Sequence, residues 1–198
     1  HNGEIQIWHR LTKSMVRSFK SLQPVFSISF SPDYQHLAVG SKGEIQLWDL
    51  TSGSMSREII AQQDGAIRAI AFSSDGSEMI SGGDDKLITI WDTKTGYVIG
   101  DPLRGHTSSI LTVALSADGT QILSSGEDKL LRLWDRYLGN QSVDPLRGHE
   151  GIISSALFAG DTQKIISSSK DGTVRFWSIH DRPIMDTPLL GHEEMVTS

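Results

Sequence analysis

The stretch GHTSSILTVALSADGTQILSSGEDKLLRLWD, residues 105–135, decides the fold. It holds three short apolar runs, around Ile110 to Leu115, Gln121 to Ser124 and Leu131 to Trp134. Turn signals separate them: Ser116-Ala117-Asp118-Gly119 after the first and Gly126-Glu127-Asp128 after the second. Runs this short, bounded by Asp and Gly, are strands joined by tight turns. No stretch offers the ten or more residues of 3.6-residue periodicity that a helix needs.

The same pattern recurs on both sides. Tryptophan stands at 8, 48, 91, 134 and 177, with spacings of 40, 43, 43 and 43, and each ends a similar string: EIQIW, EIQLW, LITIW, LLRLW, TVRFW. Asp49, Asp92 and Asp135 follow three of them. Gly105-His106, Gly148-His149 and Gly191-His192 keep the 43-residue step, as do the turn residues Asp75, Asp118 and Asp161. One unit of about four strands has been copied several times. A single four-stranded sheet cannot bury both of its faces, so neighbouring copies must stack, and radial stacking of such sheets is a β-propeller.

Composition narrows the function classes. With 198 residues, 37% of them apolar, the chain can bury a real core. A net charge of -6 disfavours nucleic acid and anionic membrane as partners, and Lys and Arg are scattered. The absence of cysteine excludes disulfides and thiolate metal sites. Apolar runs such as Ala156-Leu157-Phe158-Ala159 fall far short of the roughly 20 residues that span a bilayer. No signal-peptide pattern opens the chain, which starts at His1 in mid-pattern and reads as part of something longer; cytoplasm is the default compartment.

The order Gly-His, then Ser-x-Asp-Gly, then Trp-Asp resembles a WD repeat, and the resemblance covers the whole chain. It implies an all-β fold of propeller blades, incomplete or part of a larger propeller. Complete blades would occupy 24–63, 64–106, 107–149 and 150–192, with strands c and d of a partial blade in 1–23 and the start of another in 193–198. If the two ends tried to close a fifth blade, strand b would be missing. An unclosed arc exposes strand edges and a sheet face.

The family also implies a hydrogen-bonded tetrad in each blade, here His149, Ser169, Asp171 and Trp177. His149, Ser169 and Asp171 mimic a hydrolase triad, yet mutual satisfaction of polar groups buried between blades accounts for them better. Partial tetrads are expected at His106, Asp128 and Trp134, with Gly126 at the serine position. Asp85 and Trp91 form another, with Gln63 for histidine and Gly83 for serine. The 24–63 blade has Lys42 where the aspartate belongs, in a turn one residue shorter.

No metal site is expected, because His106, His149 and His192 stand one repeat apart. The tryptophans read as core, and no glycine-rich phosphate loop or cofactor motif is present. The loops at the narrow face of the propeller remain, where a rigid scaffold carries variable recognition. The repeat alignment places Gln63, Asp64, Asp84, Thr107, Ser108, Glu127, Glu150 and Lys170 there.

Three functions fit. One is a non-enzymatic scaffold that binds protein or peptide. The second is a fragment of a propeller enzyme, although Arg68 is the one charged residue of the inner strands. The third is a fragment that self-assembles through its open blade edges. The linkers ending at His106, His149 and His192, with their Pro-Leu-Arg-Gly-His or Pro-Leu-Leu-Gly-His runs, are similar to those of WD repeats appended to signalling NTPases of the NACHT type. That similarity implies a sensor in a larger signalling protein.

Overall fold

A computed structural model of the chain describes residues 3–59, 64–160, 164–179 and 189–190; these hold strands and turns and no helix. Strands β1 (Glu4–Trp8) and β2 (Met15–Lys20) form a first, two-stranded sheet. The second sheet runs β3 (Ser27–Phe30), β4 (His36–Gly40), β5 (Ile45–Asp49), β6 (Met55–Ile59). The third runs β7 (Ile67–Phe72), β8 (Glu78–Gly83), β9 (Leu87–Asp92), β10 (Leu103–Arg104). The fourth has β11 (Ile110–Leu115), β12 (Gln121–Gly126) and β13 (Leu131–Asp135), and the fifth β14 (Ile153–Phe158), β15 (Lys164–Ser169), β16 (Thr173–Ser178), β17 (Leu189–Leu190). Every pairing is antiparallel, and the order within each sheet follows the chain. These are propeller blades, and among the described residues they do not close into a ring.

The turns explain why the hairpins form. Ser31, Ser73 and Ser116 each donate to the aspartate two residues on, Asp33, Asp75 and Asp118, at 2.5, 2.6 and 2.6 Å. Each aspartate also accepts a backbone N–H two residues further along, from Gln35, Ser77 and Thr120. Such side-chain turns fix the first hairpin of a repeat without help from its neighbours.

One register rule holds along the stack. In the second to fifth sheets the third-strand tryptophan lies opposite Leu37, Met79, Ile122 or Ile165. Between sheets, Trp91 joins Ala38, Ile45 and Leu47 of the preceding sheet in one apolar cluster, and Trp134 joins Ile80, Ile88 and Ile90. Trp177 packs on a cluster holding Leu123, Leu131 and Leu133, and Trp48 on one holding Ile5 and Phe19. The core is therefore a series of inter-sheet layers, each closed by an indole.

The fourth sheet departs from the expected four strands. Its outer position is reduced to two isolated bridges, Trp134 with Gln141 and Leu131 with Leu146. Pro145, which has no N–H to give a ladder, sits between them, and Pro102 directly precedes the two-residue β10. The expected start of a further blade, residues 193–198, lies outside the described residues, as do Gln63 and His192.

Candidate functional site

The fourth and fifth sheets each contain a four-membered polar chain. Trp177 Nε1 donates to Ser167 Oγ at 2.8 Å, Ser167 Oγ meets His149 Nε2 at 2.8 Å, and His149 Nδ1 meets Asp171 Oδ2 at 2.8 Å. Trp134, Ser124, His106 and Asp128 repeat it at 2.8 Å in every link. An indole can only donate and a carboxylate only accept, so the protons run one way. In the fifth sheet burial favours the neutral His149 imidazole, with the serine hydroxyl donating to Nε2 and Nδ1–H donating to aspartate.

These contacts correct the sequence assignment of the serine. Ser167 occupies the tetrad, not Ser169, whose hydroxyl accepts the Asp171 N–H at 3.1 Å. Nor is Gly126 the serine position of the fourth sheet, since Ser124 fills it and that tetrad is complete. Ser81, not Gly83, accepts from Trp91 at 2.8 Å. The reason is geometric: the indole reaches diagonally, two residues beyond its direct partner on the second strand. Serine at 81, 124 and 167 keeps the 43-residue step, a signal already present in the sequence.

In the second sheet the equivalent position is Val39, and Trp48 Nε1 turns to Gln46 Oε1 at 3.2 Å on its own strand. Gln46 in turn donates to Glu44 at 2.7 Å. Lys42 forms a bridge with Ala66 of the next sheet. Asp85 also keeps its turn role, accepting Leu87 N–H at 3.2 Å.

Electrostatics match the direction of the chain. Burial holds the His149 imidazole below its ordinary range, and the neighbouring Asp171 only partly offsets it. Burial pushes the Asp171 carboxyl up, but bonds from the Thr173 hydroxyl, His149 and the Thr173 and Glu150 N–H groups outweigh it and hold it well below the usual range. Asp128 is lowered in the same balance, burial against His106, Thr107 N–H and Leu130 N–H. The serines are 0% and 1% exposed at 124 and 167, with both sides of each hydroxyl engaged. A hydrolytic nucleophile must reach a substrate beside an oxyanion site, which these cannot do. No group of three His, Asp or Glu side chains suited to a metal occurs among the described residues.

The tetrads fix loops at one end of the sheets. Thr107 N–H and Glu150 N–H bind the tetrad carboxylates of Asp128 and Asp171 at 3.2 and 2.9 Å. The turn between second and third strands is tied to the segment entering the first strand by equivalent bonds: Asp84 N–H to Ala66 O, Glu127 N–H to Ser109 O and Lys170 N–H to Ile152 O. Ser108 Oγ donates to Glu127 at 3.0 Å. Asp84 is engaged most, by Arg68 Nε at 2.5 Å and Ala66 N–H at 3.1 Å, while Arg68 stacks 5.7 Å from the Phe26 ring centroid. These bonds hold Asp84, Thr107, Ser108, Glu127, Glu150 and Lys170 in the loops at this end of the sheets. Arg68 and Phe26 join them, which sequence reasoning had not placed in the site.

Comparison with known proteins gives matches to one family model, "WD domain, G-beta repeat", at residues 13–49, 53–92, 98–135 and 140–178. WD repeat-containing protein 3 of Mus musculus is 35% identical over 85 residues, 42% of this chain and 9% of that protein. The target of rapamycin complex subunit wat1 of Schizosaccharomyces pombe is 28% identical over 82 residues, 41% of this chain and 26% of that subunit. The U3 small nucleolar RNA-associated protein 12 of Saccharomyces cerevisiae is 32% identical over 88 residues, 44% of this chain and 9% of that protein. The aligned segments thus span a small part of each relative.

Proposed function

This chain belongs to the WD-repeat family, and on that premise we infer that it is a non-enzymatic scaffold whose loop face holds a protein or peptide partner. The observation that carries the reading is the repeated tetrad. Buried donors and acceptors are spent on anchoring successive loops in equivalent positions, which gives a rigid platform with variable tips. The relatives' names point the same way, since one of them is a subunit of a complex. A cytoplasmic location and a sensor role in a larger signalling protein belong to the same proposal.

The loop tips offer Asp64, Glu127 and Glu150 against Lys170, so a partner segment with basic or polar character is favoured. Asp84 is a poor residue for testing this, because its reversal would break the Arg68 pair and the Ala66 bond. The better variant is Glu127→Lys with Glu150→Lys, compared with wild type in a quantitative capture from native extract. A set of captured proteins lost from the double variant, with the melt unchanged, is the expected result. Identical captures would remove the loop face from the proposal. A hydrolase-substrate screen on the protein separates the scaffold from a propeller enzyme.

A further inference from the structure

The turn after the third strand is built the same way in three sheets. Asp49 accepts the N–H groups of Thr51 and Ser52 at 2.9 and 2.6 Å, Asp92 that of Thr95 at 2.6 Å, and Asp135 those of Tyr137 and Leu138 at 2.9 and 2.8 Å. A glycine at positive φ closes each turn, at 53, 96 and 139. The backbone therefore asks nothing of the two tip residues, which in the second and third sheets are the polar pairs Thr51-Ser52 and Lys94-Thr95. In the fourth sheet they are Tyr137 and Leu138, 73% and 75% exposed. A second departure lies in the third sheet. Ile99 N–H binds Ile90 O at the place where Ser142 N–H binds Leu133 O in the fourth, and the 43-residue step puts Ser56 there in the second. Ile99 is also exposed.

Ile99, Tyr137 and Leu138 line one groove of about 710 Å³ between the third and fourth sheets. The equivalent groove between the second and third sheets, about 400 Å³, has Ser56 and Lys94 at two of these positions. Large apolar side chains exposed together in one concavity, where the other repeats carry polar ones, mark a contact surface. Part of that surface is set in advance. Arg136 is paired with Glu78, donates to Gly119 O at 3.0 Å and lies 5.4 Å from the Tyr137 ring centroid, which gives the ring a fixed backing. The rim carries charge of both signs. Asp101 and Arg104 are exposed, and neither side chain has an ion-pair or hydrogen-bond partner among the described residues. A groove of this size takes a few side chains rather than a folded domain. We propose that it seats an extended peptide segment of a partner protein. An apolar side chain of that segment lies against Ile99, Tyr137 and Leu138, and an acidic and a basic residue beside it meet Arg104 and Asp101. The site differs from the loop face in its residues and in its ligand, and either reading can fail without the other.

The probe is a displayed library of random peptides selected on the purified protein, followed by titration of the enriched peptides. These are expected to carry an apolar residue between an acid and a base. Tyr137→Thr with Leu138→Ser, which gives this turn the tip residues of the second sheet, should weaken their binding roughly tenfold or more while the melt stays in place. Tyr137→Lys with Leu138→Thr, the pair of the third sheet, serves if the first double variant folds poorly. Asp101→Lys with Arg104→Glu should prefer peptides in which acid and base are exchanged. Glu127→Lys with Glu150→Lys should bind the original peptides as the wild type does, which separates the groove from the loop face. A library that yields no such sequence overturns the proposal, as do peptides that bind the Tyr137→Thr, Leu138→Ser protein as tightly as wild type. A wild type at twice 21.7 kDa by light scattering that falls to 21.7 kDa in that double variant overturns it too, because the occupant is then a second copy.

Discussion

Three tetrad members, His149, Asp171 and Trp177, could be read from the sequence because each has a distinctive type at a fixed offset. Serine could not, because residues 167–169 are all serine, and side chains two apart share a face of the strand. The diagonal reach of the indole decides between Ser167 and Ser169, and it gives meaning to the 43-residue step of Ser81, Ser124 and Ser167, which composition alone does not single out. The distinction is measurable. Ser167→Ala strips the partner from a half-buried indole and a buried imidazole together and should cost roughly 2–3 kcal/mol, whereas Ser169→Ala loses one ordinary bond at about 1 kcal/mol. Urea unfolding of the two variants should show that order, and the reverse order would return the tetrad to Ser169. The same network sets the response to acid. His149 and Asp171 both have folded-state pKa values below their ordinary ones, so the unfolded chain binds their protons more readily. The stability they contribute is complete above about pH 6.5, fades first through His149 as pH falls below it, and fades again through Asp171 below about pH 4. A melting temperature that stays flat between pH 7 and 5 would contradict a neutral buried His149.

Strand identity and order were legible because period-two patterning and Asp-Gly turns are local, but the fit between sheets was not. Gly82 and Ser125 occupy one register position in their sheets, and Val113 and Ala156 share another in the sheets that follow. A Cβ at Gly82 would lie 2.7 Å from Ile110 Cγ2 and 3.0 Å from Val113 Cγ1, so glycine there matches the larger neighbour. At Ser125 the following sheet has the smaller Ala156 at the equivalent register position, and the serine hydroxyl is buried with no partner among the described residues. Gly82→Ala should therefore destabilise by about 1–3 kcal/mol through overpacking. Ser125→Ala, which keeps the Cβ and removes the orphan hydroxyl, should be neutral or stabilising by up to about 1 kcal/mol. Chemical denaturation of both checks the pair, and a stabilised Gly82→Ala would mean the sheets can slide apart at no cost. The shortened outer strands have an equally local cause, the prolines at 102 and 145, which were visible but were read only as linker residues.

An array of stacked sheets has stability that depends on neighbours, since each sheet is buried by the one before and the one after. Among the described residues the second, third and fourth sheets each have a sheet on either side, whereas the first and fifth each have one. Hydrogen exchange should accordingly be slowest in β8, β9, β12 and β13 and fastest in β1, β2 and β16; uniform protection across the chain would indicate a single cooperative unit instead. Whole-molecule form was the least legible level, because a repeat pattern states how one sheet meets the next and leaves open what meets the last. Trp8, exposed in the first sheet, makes that question visible to light. Trp91 and Trp134 are buried with their N–H groups bound to serine, so they should emit at short wavelength and resist an aqueous quencher. Trp8, bathed in water, should emit at longer wavelength and quench freely, and any body that settles on its face would extinguish that red component while leaving the rest of the spectrum in place.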